Sequence, residues 1–394
     1  MSSMKKTFDE VVLFARTGLN PRQNFKLGQG HNAYITIKNI KNNSLIIDEN
    51  TDVVDDEAIK LIHKRSQIKK GDILFASIGR MGDMYIIDEE PTDWDINESV
   101  FAFTLDTSIV RQKYFYYIFR VKSTLDYLTS NSSGSTFKSI KMNQLKKMVF
   151  DIPSLEEQDR IVKLLDNVCN VIEMRKQELS VLDNLIKARF VELFGNPVLN
   201  EKGWDTAELN EVCDGIGDGL HGTPEYDDKG EFPFINGNNL IDGVIKITPA
   251  TKFVNEEIYN KHYIEISDNA ILLSINGTLG KLAFYSGEQV MLGKSACYCN
   301  LKPEINKEFV YGVMKTEAFA EFLESNATAS TIKNVGLKAI RGFRLILPPD
   351  KLQNQFVEFA KQVDKSKFTD IKTINIKELY IVVRRNARWQ ILSF

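Results

Sequence analysis

The feature that most constrains this chain is that it repeats itself. Shifted by 195 residues, Ser135, Thr136 and Lys138 fall on Ser330, Thr331 and Lys333; Pro153 on Pro348; Gln158 on Gln353; Val162 on Val357; and Val168 on Val363. The apolar positions between them agree too, Ile140 with Val335, Leu145 with Ile340, Ile152 with Leu347 and Ile161 with Phe356. A repeat of this period builds one folding unit twice. Upstream the match continues with a drifting offset, as small loop insertions produce. Ile73-Leu-Phe-Ala-Ser77-Ile-Gly answers to Ile271-Leu-Leu-Ser274-Ile-Asn-Gly, each a β-branched apolar run entering a glycine turn. That reads as strand then loop. Lys113–Phe119 pairs with Glu308–Met314, where apolar residues recur at helical spacing. Each half is therefore expected to be a mixed α/β domain.

Between the halves, Ile161, Leu165, Val168, Ile172, Arg175, Leu179, Leu182, Ile186, Arg189 and Leu193 are spaced alternately by four and three residues. This is the a/d seam of a coiled coil over more than four heptads. Ser154 and Glu157 form a capping-box pattern at its start, and Gly195-Asn196-Pro197 stops it. Roughly 40 residues at 1.5 Å each make a rod of ~60 Å, which needs a partner helix. The repeat supplies one, with Leu352, Phe356, Phe359 and Val363 opening a second seam after Pro348-Pro349. Beyond Ser366 the heptad positions fall on Asp370 and Thr373, so the second seam is expected to fail. The fold class is α+β: two homologous mixed α/β domains, residues 1–153 and 196–347, separated by a helix at 154–195. A second, shortened helix with an atypical tail occupies 348–394.

Composition bears on what such a chain can do. Fifty Lys and Arg against 53 Asp and Glu give a net charge of −3, so no global positive field announces a nucleic-acid partner. Any DNA contact must rest on local patches. Four cysteines in 394 residues, a charged N-terminus and no long uninterrupted apolar run point to a reducing, cytoplasmic compartment without export or membrane insertion. Gly287–Ser295 resembles a phosphate-binding loop, but five residues separate its glycines where the motif needs four. A nucleotide-dependent enzyme with a coiled-coil dimerisation rod is thus the alternative reading. The four histidines are scattered, and Cys297-Tyr-Cys299 lacks metal-ligand spacing. Two small cysteines on one face of a strand suit a core. No catalytic residue, metal or bound cofactor is expected.

Local charge favours DNA where the total does not. Ser130–Lys147 contains Lys138, Lys141, Lys146 and Lys147 and no acid, beside small hydroxyl residues. Ser135, Thr136, Lys138 and Lys141, with Ser330, Thr331 and Lys333 in the second half, are candidate phosphate contacts. Packing alone does not require a surface lysine to recur in the repeat. Arg80, in the glycine turn, has the fork geometry to grip guanine. Its counterpart region offers Asn276 and Thr278, a different polar set, as two domains reading different sequences require. His221 and Thr223, in the loop-like His221-Gly-Thr-Pro224, are further candidates for base contact. The aromatic run Tyr114–Phe119 reads as helix core rather than as a stacking platform.

Taken in order, these pieces resemble the specificity subunits of type I restriction-modification systems. The resemblance rests on Ile152-Pro-Ser-Leu-Glu-Glu-Gln158 leading into the heptad helix, its close on Leu193-Phe-Gly-Asn-Pro197, Trp204 opening a second domain with Asp218-Gly-Leu-His221-Gly-Thr-Pro224, and Leu347-Pro-Pro-Asp-Lys-Leu-Gln-Asn-Gln355. It covers the chain as far as about Thr369. It implies two target-recognition domains, each reading half of a split double-stranded DNA site, held apart by an antiparallel pair of conserved helices that also dock methyltransferase subunits. Adenine methylation with S-adenosylmethionine, and ATP- and Mg-dependent translocation and cleavage, would belong to partner methyltransferase and restriction subunits. Helix length would act as a ruler between half-sites one to two DNA turns apart, at roughly 34 Å per turn. The shortened second seam departs from the pattern and implies a truncated or frame-altered C-terminus.

Overall fold

The computed structural model describes residues 3–41, 43–134 and 137–373. These fall into two compact units, one ending at Met174 and one beginning at Arg175.

The first unit is built on a four-stranded antiparallel sheet with spatial order Val12–Thr17, Val100–Leu105, Ile73–Ala76, Met84–Ile86. Ile73–Ala76 is buried throughout, which is why it is apolar without alternation. Successive side chains leave a strand on opposite faces, and the two faces of this sheet serve two cores. Ile73 and Phe75 join Phe103, Phe115 and Phe119 under the helix Gln112–Ile118. Leu74 joins Ile35, Ile96 and Ala102 on the other side. Ile35 and Ile96 come from a second sheet, Val53–Val54, Asn32–Ile35, Trp94–Ile96, whose last pair is parallel. A separate pair, Met4–Thr7 with Val149–Ile152, joins the start of the unit to its end.

The second unit repeats this plan strand for strand. Its main sheet runs Cys213–Asp218, Ala296–Leu301, Ala270–Ser274, Leu282–Phe284. Its second sheet is Lys252–Val254, Phe232–Ile235, Met291–Leu292, again with a parallel last pair. Asp205–Glu208 pairs with Arg344–Leu347 as Met4–Thr7 does with Val149–Ile152. Ile271 and Leu273 face one core and Leu272 the other. Cys213, Cys297 and Cys299 lie buried in the larger core, and burial pushes the Cys213 thiol well above its usual range.

A long helix follows each set of sheets in the chain, and the first continues from one unit into the next past Met174. The first spans Leu155–Phe194 without interruption, and the second spans Asp350–Thr373. Both begin on a buried glutamine. The Gln158 Nε2 donates to the carbonyls of Ile109 (2.8 Å) and Pro153 (2.9 Å), and its Oε1 accepts from the Arg111 N–H at 2.9 Å. Gln353 Nε2 donates to the Pro348 carbonyl at 2.7 Å. Within the second unit the two helices run antiparallel: Asp183 pairs with Lys367, Arg189 lies over Phe359, and Phe190 and Phe194 pack on Phe356.

The seam and its cap need two corrections. At its C-terminal end the fully buried residues are Phe190 and Phe194, one position beyond Arg189 and Leu193. The helix end packs on a domain core as well as on a helix, so it buries a wider face, and Arg189 turns to Glu192. Ile161, Leu165, Val168, Ile172, Leu179, Leu182, Ile186, Leu193 and Phe359 are half-buried, while Phe356 and Val363 are buried. Second, only half of the capping box forms: Ser154 Oγ accepts from the Glu157 N–H at 3.4 Å, but the Glu157 carboxylate is taken by Arg160. Gly195 does close the helix, with φ +73° and its N–H on the Val191 carbonyl. The second helix runs to Thr373, 24 residues against 40 in the first, and the side chains at Asp370 and Thr373, where the second seam is expected to fail, lie outside the described residues. The atypical tail lies outside the described residues.

Candidate nucleic-acid interface

In each unit the strand ending at Ala76 or Ser274 runs into a turn that needs a glycine with positive φ, Gly79 at +70° and Gly277 at +77°. An L-residue there would be strained. The turn is clamped to a second loop by matched backbone bonds. The Gly79 N–H donates to the Lys138 carbonyl and the Gly277 N–H to the Lys333 carbonyl, both at 2.9 Å. The Ile140 N–H donates to Ser77 and the Val335 N–H to Ile275, again both at 2.9 Å. The clamp joins residues 59 apart in the first unit and 56 apart in the second, bringing Arg80 to the Lys138 loop, and Asn276 and Thr278 to the loop of Ser330, Thr331 and Lys333.

A third loop completes the arrangement. Asn39 fastens the turn that begins at Thr36, its Nδ2 donating to the Ile46 carbonyl (2.9 Å) and Thr51 Oγ1 (3.1 Å) while its Oδ1 accepts from the Thr36 N–H. Asn239 makes the same three bonds, to Lys246, Thr251 and the Asn236 N–H. Both asparagines are buried. In the first unit Ile37 lies against Gly79. In the second, Asn236, Asn238, Asn276, Thr278, Thr331 and Lys333 line an open cleft of about 600 Å³.

The charged candidates differ in their surroundings. Lys138 is exposed and has no ion-pair partner among the described residues, whereas Lys333 is paired with Glu324, which also lines the cleft. Lys141 and Lys147 are exposed, but Lys146 is tied to Asp9 at 3.0 Å. Exposed Arg80 holds its Nε 3.6 Å from Asp83. Ser330 Oγ donates to the Ile332 carbonyl, and Thr331 is exposed at the cleft. Ser135 and Thr136 lie outside the described residues. Between them and Lys138 stands Phe137, 71% exposed, and its repeat mate Ile332 is 64% exposed.

His221 and Thr223 are not among the residues that line the cleft, although Leu220, next to His221, is bonded to Leu292 and Lys294. His221 and Thr223 are exposed, in the loop after the strand Cys213–Asp218, and His221 Nε2 sits 2.8 Å from Asp218. Gly293-Lys-Ser295 joins the strand Met291–Leu292 to the strand Ala296–Leu301, so no helix N-terminus follows to receive a phosphate. Ser295 Oγ instead accepts from the Gly237 N–H at 3.0 Å. The aromatic run is core: Tyr114, Phe115 and Phe119 are buried, and Tyr117 Oη donates to Asp166 on the long helix at 2.7 Å. Among the described residues no cluster of His, Cys, Asp and Glu could hold a metal ion, and no helix is long and apolar enough to cross a membrane.

A fold unit built twice, with three loops brought together in each copy, defines a two-module protein. The model of the type I restriction modification DNA specificity domain matches the chain twice, over residues 3–184 and 201–379, and the chain belongs to that family. It is 22% identical over 380 residues to a putative type I restriction enzyme MjaX specificity subunit of Methanocaldococcus jannaschii, covering 90% of this chain and 85% of the relative. To the MjaIX specificity subunit of the same organism it is 24% identical over 285 residues, covering 63% of this chain and 61% of that one. Its fold matches a chain from a structure of complex assembly and conformational transition in the type I R-M system, with TM-score 0.53, 16% identity and coverage of 97% and 95%.

Proposed function

We propose that this chain is the DNA-reading subunit of a type I restriction-modification complex, with each unit contacting one half of a bipartite site. The observation that carries the reading is the recurrence of the same three-loop cluster in both units with different side chains at its tips. A scaffold fixed twice and decorated differently is what reading two half-sites requires. The exposed lysines 138, 141 and 147 and the backbone-rich turns suit phosphate contacts, which position a protein, while Arg80, Asn276 and Thr278 suit base edges, which specify. The long helices offer surface for methyltransferase subunits, and the 40-residue helix that continues from one unit into the next measures about 60 Å. Methylation with S-adenosylmethionine, and ATP- and Mg-dependent cleavage, belong on this reading to the methyltransferase and restriction subunits.

Selection from a random duplex library with the full chain assembled with its methyltransferase subunits tests the proposal. It should return two short half-sites separated by an unspecified spacer of fixed length. Recovery of one contiguous motif, or of none, would refute it.

A further inference from the structure

The two loop clusters present matched positions whose side chains differ in chemistry, and this difference assigns bases. Asn39 and Asn239 make equivalent hydrogen bonds, so the residue just before each is displayed by the same rigid turn. That residue is Lys38 in the first unit and Asn238 in the second, and both are exposed. Likewise the glycine turns place Ile78 and Arg80 in the first unit where Asn276 and Thr278 stand in the second. One cluster therefore offers Lys and Arg, and the other two amides.

The amides of Asn238 and Asn276 make no side-chain hydrogen bond among the described residues, and both line the cleft. Asn236 is different, because its Oδ1 accepts from the Asn238 N–H at 2.9 Å and is spent on the turn. An amide carries one acceptor and two donors, the complement of the N6 donor and N7 acceptor of adenine in the major groove. Glu324 also argues for a base edge in this cleft. Its carboxylate would repel a phosphate and, paired with Lys333, leaves the local charge close to neutral.

We infer that the second unit reads an adenine in its half-site through Asn238 and Asn276, while the first reads a guanine in the other half-site through Arg80 with Lys38. The inference rests on the DNA-reading proposal and adds which base each module takes.

The test is the same library selection on the assembled complex, repeated with Asn238→Ala, Asn276→Ala and Arg80→Ala. Either amide variant should lower preference for one adenine, in one half-site only, by roughly tenfold. Arg80→Ala should relax one guanine in the other half-site. Asn276→Asp removes the donors and should shift that adenine towards cytosine, whose N4 donates. None of these side chains is buried, so thermal midpoints should not move. If the wild type returns a split motif and the amide variants leave every base preference intact, or relax a base other than adenine, the assignment falls while the broader proposal stands. If the wild type returns no split motif, both fall.

Discussion

Replacing Gln158 with Ala removes a side chain that is fully buried and makes three hydrogen bonds, one to a backbone N–H and two to carbonyls. At about 1 kcal/mol net per bond the loss is about 3 kcal/mol, before any cavity term common to both glutamines. Gln353→Ala removes one such bond, to the Pro348 carbonyl, and should cost about 1 kcal/mol on the same scale. The two substitutions are chemically identical and sit at equivalent points of the repeat. Their difference, about 2 kcal/mol, therefore isolates the extra bonds. Urea unfolding of the full chain followed by amide exchange reads it module by module, which matters because two modules need not unfold together. The Arg111 amide gives a local check: its acceptor is the Gln158 side chain, so its exchange should accelerate in Gln158→Ala and not in Gln353→Ala. Equal losses, or an Arg111 amide that exchanges at the wild-type rate, would refute the reasoning.

The paired and unpaired lysines should separate in salt dependence. Lys138→Ala should weaken DNA binding across sequences and lower the slope of log affinity against log salt by about one unit, whereas Lys333→Ala should lower it less because Glu324 already offsets its charge. A larger effect at Lys333 would reverse the assignment. Phe137→Ala and Ile332→Ala remove exposed apolar tips, so unfolding free energy should change by no more than about 0.5 kcal/mol while DNA affinity, measured by titration, falls. Gly277→Ala meets no neighbouring atom but forces an L-residue to φ +77°, and should cost about 1 kcal/mol in thermal unfolding. The Thr7 N–H, then Lys6 and the Thr7 hydroxyl, hold the Glu10 carboxylate down to about 2. With the folded value depressed, this cap contributes above the ordinary carboxylate range and is lost as pH falls towards 2, which side-chain NMR titration of Glu10 should show.

The duplication was readable because a strand, a glycine turn and an apolar helix keep their spacing even when few residues are identical. Where loops changed length, the reading failed. Asn39 and Asn239 are 200 residues apart, not 195, so a fixed shift never set them side by side, and the third loop of each cluster went unseen. Heptad spacing found the long helix but missed Phe190 and Phe194, because a single seam describes packing against one helix and not against a domain core. Lys138 and Lys333 look equivalent in sequence. Only the fold brings Glu324, nine residues earlier on a helix, to one of them.

The central claim is that the two modules read two half-sites for one methyltransferase complex. Mapping adenine methylation across the genome of the cell that carries this chain, with and without a functional copy, tests it most directly. The account predicts a methylated motif of two short half-sites with a constant spacer that disappears when the chain is removed. Methylation that persists unchanged, or a single uninterrupted motif, would contradict it.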